Sequence, residues 1–137
     1  MAGYSGKSVV QKLGLKPGFC IFVDGLSVPY GDVVGELPAD VQLAKTARPP
    51  LDAVHLFAAE AKGLAAKLQR YRQAIAPDGM IWVSWPKKTS GVATDLDDRA
   101  VREIGLASGL VDIKVCAVDA VWSGLKFVIP VKDRGKR

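Results

Sequence analysis

Apolar residues in this chain fall into two spacings that alternate along it: short continuous runs, and stripes that repeat every three to four positions. FCIFV (19–23), AVHLF (53–57) and MIWVSW (80–85) are near-continuous apolar runs bounded by turn residues. Runs of this length and composition fit strands covered on both faces, the pattern of a parallel sheet. Asp24 and Gly25 close the first run, Pro49 and Pro50 precede the second, and the turn APDG (76–79) opens the third. Between the last two, residues 59–75 place Leu64, Leu68, Tyr71 and Ile75 on one helical stripe, with Lys62, Lys67, Arg70 and Arg72 around its flanks. A second helix is predicted from Leu96 to Ser108, with Ala100, Val101, Ile104 and Ala107 toward the core. Thr94, Asp95, Asp97 and Asp98 crowd its start, where carboxylates complement the dipole and one side chain can cap free amides. Gly109 followed by Leu110 reads as a Schellman stop.

Weaker signals complete the order. KSVVQKL (7–13) reads as a short helix stopped by Gly14, with Ser5 and Ser8 as N-cap candidates. The prolines and glycines of 26–40 leave room for a short helix around 32–37 before a weak strand at 41–44. VDIKVCAVD (111–119) and LKFVIPV (125–131) are strands separated by a hairpin-length gap, AVWSG. The alternation predicts an α/β three-layer sandwich: a mostly parallel sheet of about six strands with right-handed crossovers, ending in an antiparallel hairpin. One domain spans 1–137, with 131–137 as a basic, frayed tail.

Composition narrows the function classes more than it selects one. Apolar residues at 49% and charged residues at 24% exclude a disordered or fibrous chain. The N-terminus lacks the apolar region of a signal peptide and no stretch approaches the ~20 apolar residues of a membrane span, which places the chain in the cytoplasm, away from membranes. Cys20 and Cys116 sit in apolar runs without CxxC spacing and read as small buried hydrophobes, so no metal is assigned. His55, the one histidine, has apolar neighbours and reads as a core or strand-end residue rather than a catalytic base. A net charge of +5 leaves an anionic partner open. Nucleic acid is disfavoured, because the basic residues of 62–72 are spread around their helix instead of forming a phosphate track.

LGLKPGFCIFVDG (13–25), AIAPDGMIWVSWPK (74–87) and the closing strand-turn-strand resemble the Rossmann-like fold of S-adenosylmethionine-dependent methyltransferases. GYSGKS, KLGLKPG, WVSWPKKTSGVATDL and VDIKVCAVDAVWSGLKFV together resemble, over essentially the whole chain, a small bacterial domain-of-unknown-function family (DUF3052). The first resemblance implies a cofactor site after the first strand, where Asp24 and Gly25 fit the family's acidic residue and glycine turn. The chain departs from that pattern next: Leu26, Ser27 and Val28 stand where further glycines belong, and Lys45 stands where the family has its ribose-binding acid. One strand of the family's sheet is missing between Ala44 and the run at 53–57. No cofactor is therefore assigned.

WPKKTSGVATDL (85–96) leaves the carboxyl end of a predicted strand and enters a helix, the address at which parallel α/β sheets collect ligands. Lys87 and Lys88 bring charge, Thr89 and Ser90 hydroxyls, and Gly91 a bend that lets amides face an anion. The alternative is a solvated loop feeding a well-capped helix. Pairing of the last two strands as in the resembled fold would bring Asp119, Trp122 and Ser123 to the edge that holds Asp24. GKS at 6–8 is not a phosphate loop, since no strand precedes it and its first glycine would fall at Met1. Asp24 and Asp119 as a catalytic pair are set aside, and no catalytic residue is named. The expectation is a non-enzymatic or degenerate Rossmann-like domain. It would bind a small anionic or nucleotide-like ligand through Asp24, Gly25, Lys87, Lys88, Thr89, Ser90, Asp119 and Trp122. The alternatives are a transferase related to the methyltransferases and a protein-interaction module.

Overall fold

A computed structural model describes residues 8–135. Six strands form one sheet in the order β2-β1-β3-β4-β6-β5. Strand β1 (Cys20–Asp24) lies between β2 (Gln42–Ala44) and β3 (Leu51–Phe57), and β4 (Ile75–Pro86) follows, all four parallel. Strand β6 (Trp122–Val128) runs antiparallel to both β4 and β5 (Val111–Ala117). Two antiparallel steps make β5 parallel to β4, so the β5–β6 turn opens at the carboxyl edge with the other strand ends.

Helices cover both faces. Helices α3 (Leu64–Ala74) and α4 (Asp98–Ala107) bury Leu64, Leu68, Tyr71 and Val101 against one face, with Val54, Ile81, Leu125 and Phe127 of the sheet. On the other face, α1 (Val9–Leu13) and α2 (Tyr30–Val34) bury Val10, Leu13, Tyr30 and Val34 against Ile21, Phe57 and Trp82. Trp82 Nε1 donates to Leu13 O at 2.9 Å, tying the end of α1 to the central strand. The three-layer, mostly parallel sandwich is the one the sequence predicts.

Several boundaries shift, each for a local reason. Helix α1 starts after a capping box between Ser8 and Gln11 and ends at left-handed Gly14. Ser5 and most of the GKS motif lie outside the described residues. Helix α3 begins at Leu64 and not at 59, because residues 59–61 are bonded to the 93–96 segment. APDG is no turn: 75–86 is one strand, with a register shift against β3 between Leu51 and Ala53. Trp122, Ser123 and Gly124 are in β6 and not in the hairpin gap. Gly109 does close α4 as predicted, with Leu110 N donating to Gly105 O and Gly109 N to Leu106 O, both 3.1 Å. At the C-terminus 131–133 form a 3-10 turn, held by an Arg72–Asp133 ion pair at 3.1 Å and by Arg134 Nε on Ile129 O at 2.9 Å. Residues 136 and 137 lie outside the described part.

Candidate functional site

In an open parallel sheet the ligand crevice forms where the chain's winding reverses, which here is between β1 and β3. The polar side chain at that place is already engaged. Asp24 ends β1 toward α3, where Tyr71 Oη donates to its Oδ2 at 2.5 Å and Lys67 Nζ lies 3.3 Å from the same oxygen. Burial raises the Tyr71 phenol above its ordinary value, and the bond to Asp24 raises it further, so Tyr71 stays a donor. Gly25 has φ +85, and a Cβ there would sit 2.2 Å from Phe57 O. The glycine thus serves close approach of two strand ends. Leu26 and Tyr30 fold down on the α1/α2 face, where Tyr30 is buried.

Under that loop runs a hydrogen-bonded chain that sequence reading missed. Tyr30 Oη meets His55 Nδ1 at 2.7 Å, and His55 Nε2 meets Ser84 Oγ at 2.7 Å. The Ser84–His55 contact has the geometry of a nucleophile and its base, yet all three residues are buried, at 0, 1 and 3% exposure for Ser84, His55 and Tyr30. No substrate reaches that hydroxyl. Desolvation pushes the His55 pKa down to about 3, keeping the ring neutral, with one nitrogen donating and the other accepting. The chain satisfies buried polar side chains across α2, β3 and β4; among the described residues no buried side-chain nitrogen or oxygen is left without a partner. An isolated Ser in an apolar strand and a Tyr twenty-five residues before a His carried no joint signal.

The other candidates separate into two groups. Lys87, Lys88 and Thr89 line a pocket of about 360 Å³ at the carboxyl edge, between the end of β4 and the start of α4. Trp85, Leu96 and Val115 give it apolar walls, and Asp97 and Asp98 line it as well. Asp97 is the N-cap of α4, accepting from Ala100 N at 2.8 Å. Thr89 and Lys88 are exposed, and Gly91 takes φ +79 just beyond the 3-10 turn Lys88–Ser90. Ser90, Asp119 and Trp122 are engaged elsewhere. Ser90 Oγ donates to Lys87 O at 2.6 Å and accepts from Val92 N, which shapes the loop. Asp119 Oδ1 accepts from Val121 N and Trp122 N at 2.9 and 2.8 Å, closing the hairpin turn. The Trp122 ring stands edge-on to Phe57, centroids 5.0 Å apart, over the aromatic cluster of the α1/α2 face. Lys87 N donates to Val121 O at 2.7 Å, so the hairpin tip braces the lysine loop through backbone while Trp122 points to the other face. A smaller hollow of about 180 Å³ lies at the start of α3, lined by Phe57, Ala58, Glu60 and Lys67 among others.

Among the described residues no cluster of His, Cys, Asp and Glu could hold a metal ion, and no helix is long and apolar enough to cross a membrane. Both cysteines are free thiols.

Solved structures place the fold. The chain is similar to an S-adenosylmethionine-dependent methyltransferase from Aquifex aeolicus, with 15% identity, a TM-score of 0.66, and coverage of 89% of this chain and 88% of that one. It is similar to the Burkholderia thailandensis 1,6-didemethyltoxoflavin-N1-methyltransferase, solved with S-adenosylhomocysteine, at 11% identity and TM-score 0.59, covering 87% and 73%. A structure of the Haloferax volcanii Trm112 methyltransferase activator with a putative methyltransferase matches at 10% identity and TM-score 0.60, covering 89% and 86%. No family model and no curated protein matches the chain. The fold is the methyltransferase-like Rossmann fold, and at these identities the likeness concerns the fold alone.

Proposed function

We propose that this chain is a non-enzymatic, methyltransferase-like domain of the small bacterial family its sequence resembles. It binds a small ligand with an apolar body and an anionic group in the pocket between β4 and α4. The observation that carries the reading is Asp24: both Tyr71 and Lys67 are already on the carboxylate that the fold's cofactor chemistry would need. The lysine loop, by contrast, offers Lys87, Lys88 and Thr89 beside apolar walls in an open concavity. Lys87 and Lys88 serve as point charges for the anion, and Trp85 and Leu96 contact the ligand's body.

A second reading is a methyltransferase that acts from the β1–β3 edge, favoured by the fold of its neighbours, one of which holds S-adenosylhomocysteine. A thermal-shift screen with S-adenosyl compounds, nucleotides and sugar phosphates separates the two. The proposal requires a stabilising compound whose effect is lost in Lys87→Ala/Lys88→Ala and kept in Asp24→Asn.

A further inference from the structure

Lys114 of β5 and Lys126 of β6 stand directly opposite each other across the antiparallel pair. Like charges so placed repel, and stability alone would favour opposite signs. Cross-strand partners share a face, and for this pair it is the α1 face: a Cβ on Gly14 would lie 3.8 Å from Lys126 Nζ. Lys12 of α1 and Lys114 border a concavity of about 280 Å³ that Val115, Cys116 and Ala117 also line. Lys16, from the turn after α1, adds its field to that of Lys114 at Lys126. Burial is the larger cause lowering the Lys126 pKa, with these two charges adding to it. The ion pairs among the described residues use Lys67, Arg72, Arg99 and Arg102, so none of these four lysines has a carboxylate partner there.

A solvated lysine fringe explains exposed Lys114 alone, and the end of α1 explains Lys12 alone. Neither explains a half-buried lysine whose cross-strand partner is a second lysine. Where a local rule is broken without compensation inside the chain, the compensation is sought in a ligand. Four ammoniums from α1, the turn after it, β5 and β6 call for a compact ligand with several negative charges, and lysine is a point-charge binder of phosphate. We infer that this face is a second anion site, on the sheet face opposite the β4–α4 pocket and sharing Val115 with it at the β5 edge, and that Lys12, Lys16, Lys114 and Lys126 bind an oligophosphate group of two or more linked phosphates.

Titration calorimetry with tripolyphosphate, inorganic phosphate and a short single-stranded oligonucleotide at matched ionic strength tests this. Tripolyphosphate is expected to bind at least about tenfold tighter than phosphate, and Lys114→Gln and Lys126→Gln each to weaken it by about tenfold. Lys88→Ala is expected to leave it unchanged, which distinguishes this site from the proposed pocket; Lys87 is kept, because its charge reaches Cys116 in this concavity. Without ligand, Lys114→Gln is expected to melt above the wild type, since it removes the repulsion; circular dichroism melts check this and the folding of each variant. Equal affinity for phosphate and tripolyphosphate, or unchanged binding in the Lys114→Gln/Lys126→Gln double variant, overturns the inference. So does tighter binding of the oligonucleotide, which would make the face a nucleic-acid surface.

Discussion

Tyr71 and Asp24, forty-seven residues apart, are joined by a 2.5 Å hydrogen bond from phenol to carboxylate across the α3–β1 boundary. The bond fixes the end of β1 and uses the acidic side chain that the methyltransferase resemblance would give to a cofactor.

Tyr71→Phe removes this donor while keeping the ring against Phe22, whose centroid is 5.8 Å away. A hydrogen bond to a charged group is worth about 2 kcal/mol, and urea denaturation of the variant is expected to show a loss of that order. If Asp24 were free to serve a ligand, the loss would be near zero.

Gly25 and Gly18 both have positive φ, at +85° and +80°, but only Gly25 meets backbone: Phe57 O would be 2.2 Å from its Cβ, and nothing lies within 4 Å at Gly18. Gly18→Ala is expected to cost about 1 kcal/mol for the left-handed conformation. Gly25→Ala adds overpacking against a strand end that cannot rotate away, for about 3 kcal/mol or more in total. Paired denaturation curves read the difference.

His55 makes stability depend on pH. Its folded pKa of about 3 lies below the 6.5 of the unfolded chain, so between these values the unfolded chain binds the extra proton. The buried neutral ring therefore contributes stability that is fully present above about pH 6.5 and is lost as pH falls toward 3, with a limiting slope of about 1.4 kcal/mol per pH unit. His55→Gln is expected to be less stable at neutral pH but to show a flatter decline on acidification. An unchanged slope would mean that other groups carry the acid sensitivity.

How much of this was legible in the sequence depended on range. The runs at 19–23, 53–57 and 80–85 announced β1, β3 and β4 because a strand covered on both faces reads as a near-continuous apolar run, here interrupted by His55 and Ser84. The lysine loop was legible as an address, since any loop leaving β4 toward α4 falls at the carboxyl edge. What failed was pairing over distance. Nothing local marks Lys67 and Tyr71 as partners of Asp24, or Ser84 as a partner of His55. Asp119 and Trp122 were expected to face a ligand together. Trp122 instead alternates to the face opposite Ser123, which lines the pocket, and the Asp119 carboxylate closes its own turn. Residues 59–63 look helical by period, but bonds from Thr94 and to Asp95 hold the chain open there until Gly63.

The β4–α4 pocket as the ligand site is tested by one thermal-shift series: wild type, Lys87→Ala/Lys88→Ala and Asp24→Asn, each against S-adenosylhomocysteine, nucleotides and sugar phosphates. A ligand at a hundred times its dissociation constant adds about 2.7 kcal/mol, several degrees in a domain of this size. The expected result is a shift that the double lysine variant loses and Asp24→Asn keeps. A shift with S-adenosylhomocysteine that Asp24→Asn abolishes and the lysine variant retains would contradict it, as would the absence of any shift across the panel.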